Sequence, residues 1–120
     1  MPALQLTTNV QVPDTQAYVL QFSKLASETL GKPEQFFSIN FNYNPTLTFA
    51  GTFDPAILLV ITCLDALSPE ANEKYSKAFF DHFKETLGVP GDRGYITFYD
   101  PQAEYIATRG MTVATLRKSQ

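Results

Sequence analysis

The residue with the most chemical potential is Pro2, which follows Met1 directly. A methionine before a small proline is normally removed, and what remains is a secondary amine at the head of the chain. Such an amine acts as a general base when its surroundings hold its pKa near the ambient pH. The other side chains that commonly carry chemistry are scarce. Cys63 is the sole cysteine and His82 the sole histidine, so an intrachain disulfide and a chelating metal site are both excluded. A Ser-His-Asp arrangement would need His82 in a cleft, yet its neighbours Phe79, Phe80 and Phe83 read as one helix. His82 therefore reads as a boundary residue and Cys63 as a small packed side chain.

A base at position 2 is useful only if folded elements hold it beside a cavity. A chain of 120 residues, 44% hydrophobic and 18% charged, fits one domain with a real core. The net charge is −3, and Arg117-Lys118 is the only adjacent basic pair, so a nucleic-acid partner is not expected. The longest apolar run, Ala56 to Ile61, is too short for a bilayer span or a signal-peptide core. Cytosolic synthesis without membrane insertion is the expectation.

Shifting the sequence by 57 positions superimposes Tyr18 on Tyr75, Phe22 on Phe79, Glu28-Thr29-Leu30-Gly31 on Glu85-Thr86-Leu87-Gly88, and Pro33, Ile39 and Phe41 on Pro90, Ile96 and Phe98. An internal duplication follows. Each copy reads strand, helix, strand. In the first, Leu4 and Leu6 alternate with polar residues, a helix runs from Thr15 to Leu30 with Asp14 as N-cap, and Phe37, Ile39 and Phe41 alternate along a half-buried strand. In the second, Ile57 to Ile61 reads as an interior strand covered on both faces. Ser68-Pro69 starts a helix with a Tyr75, Phe79, Phe83, Leu87 stripe, Gly88 ends it, and Tyr95 to Tyr99 is the returning strand. The predicted fold is α/β: a duplicated βαβ unit forming a four-stranded sheet with two helices on one face. Too few residues remain to cover the other face. A symmetric oligomer would cover it, with Leu47 to Ala50 and Met111 to Leu116 as edge strands pairing across subunits.

Met1-Pro2, Thr8-Asn9-Val10, Gly31-Lys32-Pro33-Glu34, Phe49-Ala50-Gly51, Asp54-Pro55, Tyr75-Ser76-Lys77 and Asp92 to Asp100, in this order and spacing, resemble the macrophage migration inhibitory factor family of the tautomerase superfamily. The resemblance spans nearly the whole chain and implies a single tautomerase domain over residues 1–120 that assembles as a homotrimer. It implies keto-enol tautomerisation of a phenylpyruvate-type α-keto acid without a cofactor, Pro2 being the base and Lys32 the cation for the substrate carboxylate or developing enolate. It also implies that the Leu64 backbone N–H contacts substrate and that Tyr95 reaches the pocket from the adjacent subunit. Burial among Leu4, Phe36 and Tyr95, together with the Lys32 ammonium, is expected to lower the Pro2 pKa.

The departures bear on substrate choice. Thr97 stands where animal members usually carry a ligand-binding asparagine and Phe36 where they carry a tyrosine. The C-terminal Gly-Trp-Asn-Gly of the family is Ala107-Thr108-Arg109-Gly110, and the chain has no tryptophan. The pocket rim thus lacks an aromatic wall and gains a candidate cation: Arg109 reads first as a solvated surface arginine, with a carboxylate-binding rim residue as the alternative. The family's Cys-x-x-Cys is absent, so thiol-disulfide exchange is discounted. Thr115 to Gln120 extend past the usual family end. The resemblance also implies an alternative role, a cytokine-like or effector protein that is exported without a signal peptide and acts on a protein receptor or host target. A third reading is a trimeric scaffold whose altered rim has ended turnover.

Overall fold

The computed structural model describes residues 1–119; Gln120, the last residue of the extension, lies outside the described residues. The strands are β1 (Ala3–Thr8), β2 (Ser38–Tyr43), β3 (Ile57–Thr62) and β4 (Gly94–Tyr99), and the two long helices are α1 (Thr15–Leu30) and α2 (Pro69–Leu87). The sheet order is β2-β1-β3-β4. β1 pairs with β2, and β3 with β4, in parallel, so each repeat closes as a βαβ unit. The two units join through β1 and β3, which are antiparallel and in register from Ala3 opposite Thr62 to Thr8 opposite Ile57.

The helices begin and end where the side chains dictate. Asp14 accepts a hydrogen bond from the Ala17 N–H and Ser68 from the Ala71 N–H, each satisfying an otherwise unpaired first-turn donor. Gly31 and Gly88 end the helices at φ 67° and 68°, in the left-handed region that glycine enters without a steric penalty. Tyr18, Phe22, Ala26 and Leu30 from α1 and Phe79, Phe83 and Leu87 from α2 form the buried stripes. They pack on Leu4, Leu6, Leu59 and Ile61 of the central strands, and Phe22 sits 5.7 Å from both Phe79 and Phe83.

Among the described residues, only this face of the sheet is covered by the chain itself. β3 is an interior strand, as expected, but its burial alternates: Leu58 and Val60 remain 39% and 40% exposed because both helices lie on the other side. Two local expectations need correction. Met111 to Leu116 is not an edge strand. Met111–Thr112 (β6) pairs with Ala107–Thr108 (β5) in a small hairpin, and Val113–Lys118 forms a short helix, α3, capped by the Thr112 hydroxyl on the Thr115 N–H. Leu47 to Ala50 forms no strand of its own. Ala50 and Gly51 turn at φ 53° and 75°, leaving an isolated Phe49–Thr52 bridge.

Candidate active site

Pro2 lies at the start of β1, buried, and its carbonyl accepts a hydrogen bond from the Ser38 N–H at 3.0 Å. The strand register fixes what surrounds this end of the sheet: the N-terminal ends of β1 and β2 meet the C-terminal ends of β3 and β4.

Lys32 arrives there because α1 ends two residues earlier, at Leu30. Gly31 reverses the chain, the Ser27 hydroxyl donates to the Lys32 carbonyl at 2.6 Å, and Pro33 restricts the exit. The following 3₁₀ turn, Glu34–Phe36, is tied back to α1 by the Ser23 hydroxyl, which donates to Glu34 Oε2 at 2.9 Å. This turn leaves the Phe36 ring 47% exposed on the cavity wall. Lys32 Nζ donates to the Leu64 carbonyl at 3.0 Å, which fixes the ammonium beside the end of β3. Leu64 thus engages Lys32 through its carbonyl, and its side chain is buried. The next residue, Asp65, turns at φ 61°, donates its N–H to Asp100 Oδ2 at 3.1 Å, and pairs its carboxylate with Arg117 of α3. Backbone N–H groups of Asp65 and Gln102 hold the Asp100 carboxyl below the usual carboxylate range.

At this end lies a cavity of about 610 Å³ whose walls include Met1, Lys32, Phe36, Arg109, Leu116 and Arg117. The size is that of a small-molecule site. Burial is the largest influence on the Met1 amine and lowers its pKa; the Lys32 and Arg117 cations add to the lowering, while Cys63 and Asp65 oppose it. Cys63 is buried, in agreement with its reading as a packed side chain, and burial raises its thiol pKa, which disfavours the thiolate. His82 is away from this end. Its ring packs on Tyr18, Phe22 and Phe83, and burial lowers its pKa.

The remaining two candidate residues are not brought to the cavity within one chain. Tyr95 pairs with Leu58 and Tyr99 with Thr62, so Tyr95 is four residues along the strand from the end that holds Pro2. At about 3.3 Å per residue and about 4.8 Å per strand, it is ~16 Å from Ala3. The expected burial of Pro2 against Tyr95 therefore does not occur inside one protomer. Tyr95 is 67% exposed instead and packs on Phe49 at 5.1 Å, with Arg93 5.6 Å from the Phe49 ring. Thr97 is exposed on the same uncovered face of β4.

Arg109 is exposed and stands on the cavity wall, the rim position that the sequence offered as its alternative to open surface; what the sequence reading missed is that Leu116 and Arg117 join it. The Thr112 cap followed by Val113 and Leu116 at helical spacing is the signal that marks α3.

Two βαβ units joined through antiparallel central strands, with a proline at the first strand's head, define the tautomerase superfamily fold. Residues 1–114 match the family model described as Macrophage migration inhibitory factor (MIF), and the chain belongs to that family. A Trichuris trichiura macrophage migration inhibitory factor homolog is 33% identical over 113 residues, spanning 93% of this chain and 99% of that protein. The Rattus norvegicus macrophage migration inhibitory factor is 28% identical over 117 residues, 95% of this chain and 100% of that one. The solved structure from Trichinella spiralis superimposes with a TM-score of 0.85 at 27% identity, covering 92% of this chain and 98% of that chain. A homologue from Prochlorococcus marinus gives 0.83 at 27% identity with the same coverage.

Proposed function

We propose that this protein is a keto-enol tautomerase of phenylpyruvate-type α-keto acids in which Pro2, freed by removal of Met1, is the general base. The observation that most supports the reading is the convergence at one cavity of the chain's head, an ammonium fixed on the Leu64 carbonyl and the Phe36 ring. With Met1 attached, the Pro2 nitrogen is an amide and has no basic lone pair. Once freed, it takes a proton from the carbon next to the keto group. The electron pair moves into a carbon-carbon double bond and the carbonyl oxygen becomes an enolate, which receives the proton to give the enol. Lys32 pairs with the carboxylate and the developing oxyanion, an interaction that strengthens as the charge grows. Phe36 provides an apolar surface for the substrate side chain, and the Leu64 backbone N–H a further donor.

The ~16 Å that separates Tyr95 from the strand end within one chain supports a homotrimer in which Tyr95 and Thr97 of one subunit complete the cavity of the next. The uncovered face with Leu58, Val60, Tyr95 and Tyr99 is the surface such an assembly would bury. Among the described residues, no helix is long and apolar enough to cross a membrane.

The test is phenylpyruvate and hydroxyphenylpyruvate tautomerisation by the wild type and a folded Pro2→Gly variant, with intact mass to verify processing. Activity that disappears in the variant supports catalysis by Pro2, and equal activity in both refutes it. The relatives are named as macrophage migration inhibitory factors, which favours a second role, a cytokine-like effect on macrophages exerted by binding rather than by turnover. A Pro2→Gly protein that loses turnover yet still inhibits macrophage migration would assign that effect to binding.

A further inference from the structure

The cavity carries more positive charge than a keto acid with one carboxylate requires. Lys32, Arg109 and Arg117 line it, and among the described residues no carboxylate does. Arg117 is paired with Asp65, and Asp100 is held by the backbone N–H groups of Asp65 and Gln102. Among the described residues no carboxylate pairs with Lys32 or with Arg109, so two cations face the cavity without an anionic partner.

The backbone at Arg109 adds an independent observation. The pair Thr108–Met111 leaves a two-residue turn, Arg109-Gly110, with φ 56° and 79°. Both residues are left-handed, the geometry of the hairpin turn that favours Asn-Gly. A long charged side chain on a backbone conformation it disfavours, at the wall of a cavity, is a feature that a binding role accounts for. The wall beside it is also particular to this chain: Leu116 and Arg117 lie beyond residue 114, where the match to the family model ends.

We infer that the cavity takes a dianion, a small keto acid with a second carboxylate at its far end, and that Arg109 is the residue that selects it. Lys32 holds the carboxylate beside the carbonyl, and the Arg109 guanidinium donates to the distant one in a two-pronged pair. Arg117 shares its charge with Asp65 and adds less. The inference rests on the reading of this cavity as a keto-acid site, and a binding measurement separates the two.

Terephthalate and benzoate have the same ring and differ in the second carboxylate. Calorimetric titration should show terephthalate binding the processed wild-type protein at least ~10-fold more tightly, the order expected for one charge-assisted pair. Arg109→Asn, which suits the left-handed turn, should abolish the preference while thermal stability stays equal or rises, and Arg109→Lys should keep part of it. Equal binding of the two acids by the wild type, binding of neither, or a preference that persists in Arg109→Asn overturns the inference. A clear preference without Pro2-dependent turnover would sustain the dianion site and defeat the tautomerase reading. Pro2-dependent turnover without the preference would do the reverse.

Discussion

Replacement of Lys32 by Gln removes a charge from the cavity while keeping a donor for the Leu64 carbonyl, now 3.0 Å from Nζ. Two consequences follow from the geometry. The first is lost stabilisation of the carboxylate and enolate. Two unit charges ~4 Å apart at an effective dielectric of ~20 attract by about 4 kcal/mol, which is a ceiling because the cavity is open to water. Hydrogen bonds to charged groups measure about 1.5–3 kcal/mol, so a loss of about 1.5–2.5 kcal/mol, or ~10- to 70-fold in kcat/KM, is the expected size. The second concerns proton affinity. Lys32 is one of the cations that lower the pKa of the Met1 amine, after burial, and the same charge is expected to act on the amine that Pro2 presents once Met1 is removed. The base works unprotonated, so kcat/KM rises with pH through its pKa, and a lowered pKa brings that rise to lower pH. Removing Lys32 raises the pKa and moves the rising limb to higher pH. The assay is kcat/KM for phenylpyruvate across about pH 5 to 9, which reports the free enzyme. A loss below twofold with an unmoved limb, or a limb that moves to lower pH, would refute the reasoning.

Gly94→Ala would place its Cβ 2.6 Å from Ile57 Cγ1 and 2.8 Å from the Ile57 carbonyl oxygen, which the β3–β4 ladder holds in place. A loss of about 1–3 kcal/mol should appear in urea unfolding, and an unchanged midpoint would contradict it. Ser68→Ala removes the cap on the Ala71 N–H and should cost about 1 kcal/mol by the same measurement. Burial depresses the pKa of His82 in the folded chain, so the unfolded chain binds more protons between the two pKa values. The stability from neutral His82 is therefore complete above the unfolded imidazole pKa and falls as pH drops below it toward the folded value. Urea unfolding at several pH values should show this slope in the wild type and a flatter one in His82→Gln; parallel curves would exclude it.

Much of the fold is written locally. The repeat superimposes Glu28 to Gly31 on Glu85 to Gly88, and both copies prove to be helix ends with a left-handed glycine. The alternation of Ile39 and Phe41 with Asn40 and Asn42 is the pleat itself, one side packed against α1 and the other open. What lies beyond local pattern was not legible. The antiparallel joining of β1 to β3 is a long-range pairing that leaves no periodicity in either strand. The continuous apolar run of β3 suggested cover on both sides, whereas one chain covers one side. Met111 to Leu116 has the β-branched content of a strand, yet the Arg109-Gly110 turn and the Thr112 cap convert it into hairpin and helix. For the same reason the sequence left Arg109 between surface and rim and did not mark Arg117: the place of both on the cavity wall depends on how the hairpin and α3 fold back. The motif residues Lys32 and Phe36 lie at the Pro2 end of the sheet, while Tyr95 lies at the other.

The proposed mechanism depends on one covalent fact, that the Pro2 nitrogen is a free amine. The most direct test prepares the protein with graded Met1 retention, quantifies the processed fraction by intact mass, and measures phenylpyruvate tautomerisation on the same samples. Activity proportional to the fraction that begins at Pro2, extrapolating to the background rate at full retention, is the predicted result. Undiminished activity in protein that keeps Met1 would contradict it.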